Sequence, residues 1–111
     1  MKTQTELSGS RLTLFPQGEL DHHAAASVVG EIERSIDSAL PRECVIDMSG
    51  VTFMDSSGIA VVLKAHRRMS ELSGKLRLVR VPERCRRILA AAGVERLVEI
   101  ETRETVHNER T

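Results

Sequence analysis

Residues 44–58 read Cys-Val-Ile-Asp-Met-Ser-Gly-Val-Thr-Phe-Met-Asp-Ser-Ser-Gly. The opening of this stretch is rich in β-formers, and a strand over 43–48 puts Cys44, Ile46 and Met48 on one face. Residues 49–54 lead out of that strand. Asp55-Ser56-Ser57-Gly58 then has the composition of a helix start, with Asp55 or Ser56 able to cap a helix over about 56–72 that Gly74 stops. A strand feeding a helix through a capping turn is the unit from which α/β folds are built.

The flanking sequence repeats the unit. Upstream, 3–7 and 11–15 read as two short strands joined by Ser8-Gly9-Ser10, and Leu12 and Leu14 alternate with Thr13. Pro16 and Gly18 punctuate the chain there. Asp21 can cap a helix over 22–40, whose stripe is Ala25, Val28, Val29, Ile32, Ile36 and Ala39, and Pro41 ends it. Downstream, 75–81 is a strand with Leu76 and Leu78 alternating against Lys75 and Arg77. Pro82 fits the first turn of a third helix carrying Cys85, Ile88, Leu89 and Ala92, which Gly93 closes. A last short strand is expected over 97–100, and the polar end from Glu101 is expected to fray.

The order ββαβαβαβ predicts a single α/β domain with a mixed, largely parallel sheet. Its crossovers are right-handed and an antiparallel hairpin opens it. Single apolar stripes place the helices mainly on one face. The domain is expected over 1–106, with 107–111 a polar tail.

Composition narrows the function. The chain has 111 residues, 41% of them hydrophobic, with 16 bases balancing 16 acids. One core fits this length, and two do not. A chain of zero formal charge lacks the basic excess that nucleic acid or an anionic membrane surface selects. With no Trp or Tyr and only two Phe, stacking platforms for single strands are excluded as well. No apolar run approaches the roughly 20 residues of a membrane span, and the polar opening lacks the apolar stretch of a signal peptide, so a cytoplasmic protein is expected. Cys44 and Cys85 both fall where core residues are expected, which reads as buried small hydrophobes, not a metal or redox pair.

At 100° steps Gly58, Val61, Val62, Ala65, Met69 and Leu72 cluster on one side of the second helix. Ser57 falls opposite, in line with Lys64 and near Ala60. It is therefore expected to be exposed at the positive end of the helix, among free backbone N–H groups. A phosphate there is favoured by the helix, so its modification would alter the surface and leave the fold intact. Asp55-Ser56-Ser57-Gly58 also serves as a plain capping sequence. Ile59 and Leu63 lie off the buried stripe. Either they form an apolar partner-binding patch or the loop through Val51 and Phe53 covers them.

Other chemistry is poorly supported. His22 and His23 are adjacent and point about 100° apart on a helix, a poor metal pair. His66 and His107 have no evident partner. No glycine precedes the serines as a nucleophile elbow requires, and Gly-rich phosphate loops are absent, so no enzyme and no cofactor are expected. Arg80, Arg84, Arg86 and Arg87 form a basic cluster read as a solvated face, with an acidic partner surface as the minority reading.

The junction quoted above, together with Gly18-Glu19-Leu20-Asp21 before the first helix, resembles the anti-sigma-factor antagonist family of STAS domains over about residues 3–106. The resemblance implies a protein-binding switch. An unmodified antagonist sequesters an anti-sigma factor that is also a serine kinase. The kinase phosphorylates the second serine, here Ser57, and the partners separate until a PP2C-type phosphatase resets the site. Asp21, Asp55, Ser56, Ser57, Gly58, Ile59, Ala60, Leu63 and Lys64 would form the partner surface. The alternative is a STAS structural subunit of a lipid-transport ABC complex or a stress-signalling assembly, with no phosphate on Ser57.

Overall fold

A computed structural model describes residues 2–102. The elements are β1 (Lys2–Ser8), β2 (Arg11–Leu20), α1 (His22–Ala39), β3 (Glu43–Asp47), β4 (Val51–Met54), α2 (Ser57–Glu71), β5 (Lys75–Val81), α3 (Glu83–Ala91), a 3₁₀ turn (Val94–Arg96) and β6 (Glu99–Thr102). The sheet has the order β1-β2-β3-β5-β6, with β4 beside β2. β1 and β2 are antiparallel, and the remaining pairs are parallel. The tail 107–111, with His107, lies outside the described residues.

The apolar stripes meet as the sequence predicts. Val28, Ile32 and Ile36 of α1, Val61, Val62, Ala65 and Met69 of α2, and Cys85 and Leu89 of α3 join one cluster with Leu12, Leu14, Cys44, Ile46, Leu76 and Leu78 of the strands. The helices thus cover one face of the sheet. Val45, on the opposite face of β3, is buried but belongs to no such cluster. That face instead carries ion pairs across strands, Arg11 to Glu43 at 2.8 Å, Glu43 to Arg77 at 3.2 Å and Arg77 to Glu101 at 2.6 Å. Burial pushes the Cys44 thiol up to about 12, helped by Glu43, so it is an inert core thiol.

Four boundaries differ from the sequence reading. β2 does not stop at Phe15 but runs to Leu20. Residues 11–14 pair with β3 and residues 18–20 with β4, so Pro16 falls in the gap between partners, where no N–H is needed. Gly18 adopts φ +108° at the accompanying irregularity and donates its N–H to the Gly50 carbonyl at 2.9 Å. Val51–Met54 is a strand in its own right. Pro82 is the cap of α3, not its first turn, and Ala92 is exposed past its end. The last strand begins at Glu99, because a 3₁₀ turn after Gly93 (φ +77°) consumes the intervening residues. Glu101 and Thr102 are therefore sheet residues, not a frayed end.

Asp47, at the end of β3, is the one buried charged residue among those described. Its carboxylate accepts from the Ser49 N–H and from the Arg80 Nε, each at 3.0 Å. Arg80 reaches it from a left-handed conformation (φ +50°) at an irregularity of β5. Such backbone strain costs about 1 kcal/mol or more, so the pair must hold it in place. Burial opposes ionisation of Asp47, but the Ser49 and Arg80 hydrogen bonds together outweigh it and hold the carboxyl below the usual carboxylate range. A depressed value in the folded state means stability that is present above the unfolded value, near 3.9, and is lost as pH falls through the folded one. Wild type is expected to lose more stability than Asp47→Asn between about pH 5 and pH 2, measured by urea unfolding. Parallel pH profiles for the two proteins would show that Asp47 carries no such charge.

Candidate partner-docking site

β2 and β4 run parallel with Leu20 opposite Met54, so two strands end side by side. Each is followed by an aspartate and then a helix. α1 and α2 therefore begin next to each other, with both positive ends on one rim of the sheet.

The two aspartates work differently. Asp21, half-buried, caps its own helix, its Oδ1 accepting from the Ala24 N–H at 3.0 Å. Asp55 serves both helices. Its Oδ1 accepts from the Ser57 N–H at 2.8 Å and its Oδ2 from the His22 N–H at 3.2 Å. The Ser57 backbone bond is the main reason its carboxyl sits below the usual range; desolvation, next in size, opposes it, and the Ser57 hydroxyl and the nearby His22 add to the lowering. Ser56 occupies the cap position of α2, yet its side chain makes no capping bond. Of the two caps that the sequence allows, the structure selects Asp55.

The amides expected to be free are occupied. Ser57 N–H is held by the Asp55 carboxylate, Gly58 N–H by the Asp55 carbonyl at 3.0 Å, and Ile59 N–H by the Ser56 carbonyl at 3.1 Å. Ser57 is half-buried and not fully exposed, while Ser56 stands in solvent. The turn that brings the Ser57 amide onto Asp55 also draws the residue inward. Ser57 is nonetheless the first residue of α2, on the rim where the two helices start.

Around it, Ala60, Leu63 and Lys64 are exposed and Ile59 is half-buried against the core. The apolar pair divides: Ile59 is packed partly against the core, while Leu63 is 36% exposed. Gly58 is buried, and a Cβ there would lie 2.4 Å from the Met54 Cγ and 2.5 Å from its Sδ. Close approach of α2 to β4 needs that glycine.

Sequence reasoning missed two neighbours. Phe53, which one of the two readings makes a cover for Ile59 and Leu63, is 41% exposed on β4. Its signal was the lack of strict alternation in Val51-Thr52-Phe53-Met54, where only the outer two are buried. His22 was read as a first-turn surface residue. Its side chain is indeed exposed, in edge contact with His23 at 5.8 Å, but its backbone N–H is a ligand of Asp55. His66 lies away from this rim, in a groove with Glu43, Lys75 and Arg77. Most of the basic cluster is internally paired: Arg80 with Asp47, and Arg86 and Arg87 with Glu83. Among the described residues no group of three or more His, Cys, Asp or Glu is placed to hold a metal ion, and no helix is long and apolar enough to cross a membrane.

The fold and the paired helix starts define a STAS domain. The family model matches residues 2–109, and the chain belongs to that family. Among curated relatives it is similar to an anti-sigma F factor antagonist of Paenibacillus polymyxa, 28% identical over 102 residues that cover 90% of this chain and 87% of that one. It is also similar to an anti-sigma F factor antagonist of Lysinibacillus sphaericus, 30% identical over 77 residues, 69% of this chain and 66% of the relative. Among solved structures it resembles the antagonist SpoIIAA in its unphosphorylated form, with a TM-score of 0.76, 24% identity and coverage of 97% and 95%. The phosphorylated form from Bacillus matches with a TM-score of 0.69, 23% identity and coverage of 99% and 100%.

Two outcomes test the geometry. Asp55→Ala is expected to lower the melting temperature more than Ser56→Ala, because only the former frees two helix-start amides. Equal losses would contradict the bridging role. Gly58→Ala is expected to cost about 1–3 kcal/mol in urea unfolding, as the added methyl must displace Met54. A neutral result would show that the contact with β4 is loose.

Proposed function

We propose that this chain is an anti-sigma-factor antagonist, a binding protein and not an enzyme, that works in the cytoplasm. Its docking surface is the start of α2 with the adjoining rim: Asp21, Asp55, Ser56, Ser57, Gly58, Ile59, Ala60, Leu63 and Lys64, joined by Phe53. An anti-sigma factor with serine kinase activity binds this surface and transfers phosphate to Ser57. A PP2C-type phosphatase removes it. The names borne by the similar curated proteins support the first part of this reading.

The observation that carries the switch is the position of Ser57. It begins α2 on the rim, and its amide is held by a carboxylate that already serves as the local negative charge. A phosphoserine adds about −1.5 to −2 charge beside Asp55. The two anions then compete for one amide, which rearranges the rim while the buried stripe of α2 is untouched. Burying that uncompensated charge against a partner costs several kcal/mol, and about 1.4 kcal/mol is already tenfold in affinity.

Ser57→Asp is expected to weaken binding to the anti-sigma factor by at least about tenfold while keeping the circular dichroism of the wild type. Ser57→Ala is expected to bind whether or not ATP is present. Calorimetric titration with the partner decides. Wild-type affinity in Ser57→Asp would end the charge-switch reading, and no phosphate on Ser57 after incubation with the kinase would end its assignment as the modified residue.

A further inference from the structure

Among the described residues β1 is the outermost strand and pairs with β2 alone. Thr3 lies opposite Pro16, and a proline has no N–H to exchange, so theirs is a non-hydrogen-bonded pair. Bonded and non-bonded pairs alternate along an antiparallel ladder. Thr5 opposite Leu14 and Leu7 opposite Leu12 are therefore also non-bonded, and Thr3, Thr5 and Leu7 direct their backbone N–H and C=O groups outward. The result is a free edge, largely exposed, ending in Leu7 at 57% exposure.

On the helix-bearing side an open groove of about 530 Å³ separates this edge from α1, with Thr3, Thr5, Leu7, Glu31, Arg34 and Ser35 on its walls. Thr3 Oγ1 and Glu31 Oε1 are closed off from water, yet neither has a hydrogen-bond partner among the described residues. Polar atoms in that state are costly. Arg34, one turn from Glu31, forms no ion pair among the described residues.

We propose that a second copy of this chain fills this edge, docking β1 against β1 antiparallel about a two-fold axis at Gln4. The register follows from the chemistry. Outward-facing residues must meet each other, so Thr3 pairs with Thr5 of the second copy and Gln4 faces Gln4. Lys2 then lies opposite Glu6, twice, in the non-bonded pairs where side chains come closest. Shifting either way by two residues loses both charge pairs. Charges on an edge strand ordinarily repel other edges. Here one of each sign, placed symmetrically about Gln4, makes the edge complementary to itself. On the groove side Thr3 and Thr5 of the two copies come to lie on the same face of the joined sheet. The two α1 helices lie over β2 and its counterpart, about three strand spacings or roughly 14 Å apart. They run antiparallel across the axis, which turns Glu31 of one toward Arg34 of the other.

Sedimentation equilibrium of the full chain, up to about 1 mM to reach weak interfaces, tests the assignment. Wild type is expected to rise from 12.3 kDa toward twice that mass. Glu6→Lys, which sets lysine against lysine at both ends, is expected to weaken the dimer about tenfold or more. Lys2→Glu should do the same by setting acid against acid. The double swap is expected to restore the wild-type constant, because it exchanges the two signs without changing the pairing. A wild type that stays monomeric throughout, single variants that dimerise undiminished, or a double swap that fails to rescue would each overturn the proposal. Both positions are exposed at the edge, and circular dichroism of each variant confirms the fold.

Discussion

The Asp55 carboxylate is the contact on which the rim of this domain depends. Two helices that begin side by side point two positive ends at one another. One carboxylate, accepting from the His22 amide and the Ser57 amide, sits between them and serves both. The arrangement exists because β2 and β4 finish in register, Leu20 against Met54. Remove that alignment and no single side chain could reach both helix starts. The hydroxyl proposed as the switch thus belongs to a residue whose own amide this carboxylate holds.

That alignment rests on how β2 is used. Its first half pairs with β3 and its last residues with β4, so two short strands follow one another along the same neighbour. The alternation of Leu12 and Leu14, and of Leu76 and Leu78, was readable because period-two burial is a local property. The helix stripes were readable for the same reason. The continuation of β2 past Pro16 and Gly18 was not. Whether a proline ends a strand depends on whether a neighbour wants its N–H, and that neighbour is some thirty residues away in sequence. β4 was hidden for another reason: with four residues and only Val51 and Met54 buried, it shows no alternation to detect.

The candidate site divides in the same way. Asp21, Asp55 and the serines were legible because capping is encoded within three or four residues. Which candidate caps α2 was not, since Ser56 and Asp55 differ only in where the backbone aims them. The second role of Asp55, toward His22, joins residues on separate helices and has no signature in either segment. Arg80 shows the converse error. In sequence it belongs to a run of arginines, but its strained backbone turns it to the buried Asp47. A cluster counted along the chain is not a cluster in space.

Charge balance decides what such a surface can do. With 16 bases against 16 acids the formal net charge is zero, so no net charge draws a partner in and local matching carries more of the recognition. On the rim, the exposed Phe53 and Leu63 lie on the elements flanking Ser57, so a partner docked there as proposed would exclude water from the position a phosphate would take. Exclusion is what makes a charge decisive, because a dianion that stays hydrated changes little and one that must be stripped costs several kcal/mol. An all-polar rim would have bound and released with only modest response to modification. In the proposed switch, an apolar border, a half-buried serine and a resident carboxylate would together make the response to a phosphate sharp. Ser57 and Asp55 lie at the start of α2, Leu63 on its exposed side and Phe53 on the exposed side of β4, apart from the buried cluster.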